Sequence, residues 1–83
     1  MTKWNKAEFK KLNKQKKYEL LKKEGTFVGN RIYGSHQCSL FIFSGMYVEI
    51  WRAIGLNYIQ WIELVESSQT LEEYVDNLRN FEL

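Results

Sequence analysis

Three short turn signals, Gly34-Ser35, Ser44-Gly45 and Gly55-Leu56-Asn57, cut residues 26 to 66 into four runs rich in Phe, Val, Ile, Tyr and Trp. Runs of that composition between turn residues read as strands. Connections this short join only antiparallel neighbours. Strands are therefore expected near Thr26 to Tyr33, His36 to Phe43, Met46 to Ala53 and Tyr58 to Val65, forming a four-stranded antiparallel meander.

Side-chain alternation then sorts the sheet into two faces. With Phe43 opposite Met46 across Ser44-Gly45, one face carries Gln37, Ser39, Phe41, Phe43, Met46, Val48, Ile50 and Arg52. The other carries Cys38, Leu40, Ile42, Tyr47, Glu49 and Trp51. Neither face is polar enough to meet water along its whole length, so part of each needs a cover.

The flanking segments supply it. Asn5 and Glu8 have the spacing of a capping box, and Trp4 and Phe9 flank it as a hydrophobic staple, so a helix is expected from Lys6. Lys22 and Lys23 suit the last turn, and Gly25 suits a left-handed terminator, so this segment stops near Glu24. Between them Lys16 interrupts the apolar stripe, and Asn13 can cap a second piece from Lys14, which predicts a bend.

At the other end Thr70 and Glu73 form a second capping-box pattern, with Glu72 and Glu73 in the first turn. Leu71, Tyr74, Val75, Leu78 and Phe81 follow at helical spacing, leaving Asp76, Asn77 and Asn80 outward. The expected fold is α+β: an N-terminal helix broken near Asn13, a four-stranded antiparallel meander and a C-terminal helix, in a single domain spanning residues 1 to 83.

Composition supports an ordered chain, since 45% of residues are hydrophobic, 13 of the 83 are aromatic and none is proline. The lone Cys38 has no partner for an internal disulfide, no signal-peptide pattern opens the chain, and no run reaches the length of a membrane span. A cytoplasmic protein that does not enter a membrane is expected.

Charge is unevenly placed. Residues 1 to 31 hold ten Lys and Arg against three acids, a balance of +7, while residues 32 to 83 hold two against seven, a balance of −5. Such a split marks either a surface for nucleic acid or an acidic partner, or a basic and an acidic helix that lie near each other.

Catalytic chemistry has little to stand on. His36 and Cys38 project from one strand to the same face, as a base and nucleophile would, but a strand-start histidine and a buried cysteine are the plainer reading. With no second histidine or cysteine, the usual zinc sets are ruled out. Glu49 and Glu63 would form an acid/base couple only if register brought them together. A two-residue Gly55-Leu56 loop pairs Glu49 with Ile62 and Glu63 with Val48, on opposite faces. The five glycines fit no phosphate-binding fingerprint, although Gly29 within the first strand marks a bulge or a close backbone approach. No enzyme activity, metal or cofactor is expected.

Two surfaces remain. Tyr47, Trp51, Tyr58 and Trp61 exceed what a small monomer comfortably exposes and form a candidate protein interface, unless two helices suffice and these rings are simply half-covered. Lys3, Lys6, Lys10, Lys14 and Lys17 form a candidate polyanion surface, with a solvated helix face as the plainer reading. Lysines attract phosphate with little base readout, so such binding would be weak, non-specific and salt-sensitive.

Gly25-Thr26-Phe27, Tyr33, Tyr47-Val48-Glu49-Ile50-Trp51 and Asn57 with Ile59 give residues 9 to 63 a resemblance to a group of small proteins of gut anaerobes and their mobile elements. The resemblance implies a helix, a meander and a closing helix, and it carries no known activity and no functional residue. The expected function is a non-enzymatic protein-interaction module, homodimeric or with another protein through the aromatic face. The alternative is a weak nucleic-acid or acidic-partner binder through the lysines.

Overall fold

The computed structural model describes residues 3–56 and 58–82, with side chains through residue 75. Asn5 starts the first helix as its spacing predicts: its side chain accepts from the Glu8 amide at 2.8 Å and Glu8 accepts from the Asn5 amide at 3.1 Å. The helix, α1 (Lys6–Lys10), breaks at Asn13, whose side chain caps α2 (Lys14–Glu24) by accepting from the Lys16 amide at 2.8 Å. Trp4 packs beside Phe9 against the core, and its amide donates to Ser44 Oγ at 2.6 Å, pinning the chain start to a hairpin turn.

Gly25 ends α2, though not in the left-handed conformation expected of it. Its backbone is extended, with φ −82°, and the requirement for glycine is steric: a Cβ there would lie 2.7 Å from the Leu21 carbonyl oxygen.

Strands β1 (Thr26–Tyr33), β2 (His36–Phe43), β3 (Met46–Ala53) and β4 (Ile59–Leu64) follow as an antiparallel meander in the order β1-β2-β3-β4. At the β2–β3 turn Ser44 and Gly45 both have positive φ, 51° and 77°, the backbone hand that matches strand twist. Register between β2 and β3 is unbroken from His36 opposite Ala53 to Phe43 opposite Met46, so the two expected faces form. Gly29 adjoins the expected bulge, since register shifts between Phe27 and Gly29.

The third hairpin departs from expectation. Gly55 (φ 89°) closes a turn in which the Leu56 amide bonds to the Ala53 carbonyl, and Arg52 pairs with Ile59 as a two-residue loop would also give. Asn57, part of that turn signal, lies outside the described residues. An extra residue, Gln60, then interrupts the ladder, so that Trp51 pairs with Trp61 and Glu49 with Glu63. The bulge overturns the opposite-face placement of the two acids: they are direct cross-strand neighbours on one face.

The helices cover opposite faces. Phe9 and Leu21 of α1 and α2 join Phe43, Met46, Val48, Ile50 and Ile62 in one buried cluster, with Leu12, Tyr18, Leu20 and Phe41 packed against it. On the other face α3 (Ser68–Glu82) lies against β1, where Tyr74 is buried and its ring would meet a Cβ added at Gly29 at 3.9 Å.

Helix α3 begins before Thr70: the Leu71 amide bonds to the Ser67 carbonyl. Thr70 is therefore inside the helix rather than its cap, the first turn holds no acid, and Glu73 is free to reach the sheet. Of the expected stripe, Leu71 is half-buried and Tyr74 buried, whereas Val75 is exposed. Leu78, Phe81, Asp76, Asn77 and Asn80 lie outside the described side chains.

Among the described residues no helix is long and apolar enough to cross a membrane.

Candidate functional site

The face under α3 is organised around one guanidinium. Alternation along β1 turns Arg31 inward, and its side chain crosses above β2 to reach Glu49 on β3. Arg31 Nε donates to Glu49 Oε2 at 2.8 Å and NH2 to Oε1 at 3.3 Å, while NH1 donates to Glu73 from α3. Tyr74 Oη donates to Glu49 Oε2 at 2.5 Å. Arg31 is 6% exposed and Glu49 1% exposed, so the pair is removed from water.

Such a pair is tolerated only when nearly every donor and lone pair is engaged. The rings of Tyr33, Trp51 and Tyr74 complete the enclosure, with centroids 5.1, 5.4 and 5.7 Å from the guanidinium carbon.

Ionisation follows from this packing. Burial alone would lower the Arg31 pKa, but the hydrogen bonds and charge of Glu49 more than reverse it and hold the group charged. Burial, then the bond to Glu49, pushes the Tyr74 hydroxyl well above its ordinary range. Burial, followed by the nearby charge of Glu49, pushes the Cys38 thiol up to about 12.

Beside this cluster runs a row of rings. Trp51 stacks on Trp61 at 4.9 Å and 22°, Tyr33 meets Trp51 edge-on at 5.9 Å, and His36 lies 5.5 Å from Trp51 and 5.1 Å from Trp61. His36 Nε2 donates to Gln60 Oε1 at 2.6 Å, a partner that the bulge presents on this face. Trp51 Nε1 is buried with no acceptor among the described residues.

An open cleft of about 480 Å³ lies between this face and the segment leading into α3. Tyr33 and Trp51 form its aromatic wall; Arg31 lines it as well and answers Glu49 and Glu73, Glu66 is paired with Lys6, and Glu63 is the cleft carboxylate without a partner among the described residues. Its chemistry suits a side chain with an apolar stem and a positive end, such as lysine or arginine.

Of the residues expected at a protein interface, Tyr47, Trp51 and Trp61 do share this face. Trp51 is buried, and Trp61 and Tyr47 are about two-fifths exposed. Tyr58 stands apart, in a hollow with Lys14, Tyr18 and Arg52 on the α2 side. Tyr33 and Arg31 were not expected here. The signal for Arg31 was its type: it is the single arginine among nine lysines in residues 1 to 31, and it falls in a strand.

The polyanion candidates are partly occupied. Lys6 pairs with Glu66 at 3.2 Å, Lys14 Nζ donates to the Ile59 carbonyl at 2.8 Å, and Lys17 lies over the Phe9 ring. Lys3 and Lys10 are exposed. Lys6, helped by the charge of Lys10, holds the Glu66 carboxyl below its ordinary range.

His36 and Cys38 do share a face, but the thiol is fully buried and held protonated, and the imidazole is bound to Gln60. That is not the geometry of an activated nucleophile. Glu49 and Glu63 come together as the bulge dictates, yet Glu49 is already committed to Arg31 and Tyr74.

No known protein family, curated protein or solved structure matches the chain.

Proposed function

We propose that this chain is a non-enzymatic protein-binding module that uses the sheet face bearing Trp51 and Trp61. The observation that carries the reading is the row of Tyr33, Trp51 and Trp61. Its outer rings stay 58% and 39% exposed beside an open cleft, on a face that already has a helix of its own. Aromatic rings that remain wet next to a concave surface are characteristic of the centre of protein interfaces. The protonated Cys38 and the already bound Glu49 favour binding over catalysis. A lone buried thiol fits a reducing, cytoplasmic setting.

A photo-crosslinking residue placed at position 61 in the cells that make the protein tests this. A discrete adduct at 61 and none at exposed Ile32 on the opposite face is the expected result. Equal labelling at both positions, or none at 61, would sink the reading.

A second reading rests on the lysine-bearing helix layer, where Lys3 and Lys10 remain exposed. Weak, sequence-independent polyanion binding that vanishes with added salt is what such a layer supports. A mobility shift with single-stranded RNA at low salt tests it, and no shift there ends it.

A further inference from the structure

We propose, resting on the protein-binding reading of the tryptophan face, that its occupant is a second copy of the chain. The lysine-rich outer side of α1 and α2 of one copy docks head to tail on the acidic, tryptophan-walled cleft of the next. The sheet keeps the two charges apart. The nine lysines of residues 1 to 31 belong to the segment that covers one face, whereas Glu49, Glu63 and Glu73 serve the other. One exposed ion pair, Lys6 with Glu66, joins the two layers.

What is left over on each side matches. The exposed side chains of Lys11, Lys16 and Lys23 make no hydrogen bond or ion pair among the described residues, and neither does exposed Glu63 at the cleft. Lys16 and Lys23 are seven residues apart on α2, so they project from one side of the helix about 10.5 Å apart. Lysine stems can lie along the exposed Trp61 and Tyr33 rings while an ammonium group reaches the unpaired Glu63, with Glu66 engaged by exchange with Lys6.

Symmetry selects the arrangement. The helix layer and the Glu63 cleft lie on opposite faces of the sheet, so one twofold contact does not engage both at once, and a head-to-tail contact is what brings the unlike surfaces together. Repetition of that contact extends to a ring or an open chain.

Sedimentation velocity over a concentration series, at low and at high salt, tests the assignment. The expected result is a mass that grows past two copies at low salt and returns to monomer at high salt. Glu63→Lys with Glu66→Lys should abolish growth, as should Lys16→Glu with Lys23→Glu. Mixing those two variants should restore it, because each then offers the surface the other lacks. All four positions are exposed, and circular dichroism checks that each variant is folded; the single changes Glu63→Lys and Lys16→Glu stand in for any double change that is not.

A wild-type monomer throughout the low-salt series would overturn the self-docking assignment. If the position 61 adduct persisted in that case and contained another protein, the protein-binding reading would survive without it. A strict twofold dimer, or growth indifferent to salt and charge reversal, would also overturn it. So would variants at Lys16 and Lys23 that lose RNA binding while still assembling.

Discussion

The Arg31 guanidinium on β1 passes over β2 to hold Glu49 on β3 through two hydrogen bonds, so the first and third strands are tied by side chains as well as by the strand between them. Tyr74 and Glu73 extend the tie to α3. An inward-pointing charge on an edge strand also discourages unwanted pairing at that edge. Removing Glu49 leaves the buried guanidinium with only the half-exposed Glu73 carboxylate and takes away the acceptor of the Tyr74 hydroxyl. Glu49→Leu should therefore cost about 3–5 kcal/mol, whereas the double change Arg31→Met with Glu49→Leu should recover most of that loss. Urea denaturation of the two variants measures it, and a double variant no more stable than the single one would contradict this account.

The buried protons set the alkaline limit. Folding raises the Cys38 pKa from 9.0 to about 12, so its contribution is complete below about pH 9.0 and is lost as pH climbs through about 12. Tyr74 and Arg31 shift in the same direction and add to the loss at higher pH. The urea midpoint should fall with rising alkalinity from that point, and less steeply in Cys38→Ala. In the native protein below it, a thiol reagent should reach Cys38 only as fast as the structure opens.

How much of this was legible depended on the range over which each signal acts. Asn5 with Glu8, Asn13 and the Ser44-Gly45 turn specify structure within three or four residues, and each appears where the sequence places it. The β2–β3 faces followed because a tight turn propagates one register along two strands. Glu63 was misplaced because the bulge at Gln60 has no local mark, and one extra residue reverses every face beyond it. The Arg31 cluster was out of reach for a different reason. It joins β1, β3 and α3, and only packing of α3 on that face brings Glu73 and Tyr74 to it.

Two glycines that look alike in sequence should respond differently to alanine. At Gly25 the added Cβ meets the Leu21 carbonyl oxygen at 2.7 Å, a backbone atom that cannot yield cheaply. The change should cost about 1–3 kcal/mol. At Gly29 the nearest atom is Tyr74 Cδ1 at 3.9 Å, an ordinary contact, and φ there is not positive. Gly29→Ala should stay within about 0.5 kcal/mol of the parent. Thermal melts of the pair provide the comparison, and equal losses would mean that the Leu21 contact is not what selects glycine at 25.

The stacked pair Trp51 and Trp61 gives the face a spectroscopic signature. Indoles 4.9 Å apart and 22° from parallel couple their transitions, which should appear as a far-ultraviolet circular-dichroism couplet. Phe at either position should abolish it, but the two changes should differ in stability. Trp51 is 92% buried and keeps an indole N–H without an acceptor, a defect worth about 1–3 kcal/mol that Trp51→Phe removes along with part of the buried ring. Those effects oppose each other, so Trp51→Phe should be milder than the about 3–5 kcal/mol typical of truncating a large buried aromatic to alanine. Trp51→Ala provides that reference in the same urea titration. Both changes remove the N–H, so their difference measures the packing of the retained ring, and equal losses would mean that a phenyl ring at 51 recovers none of the burial the indole provides.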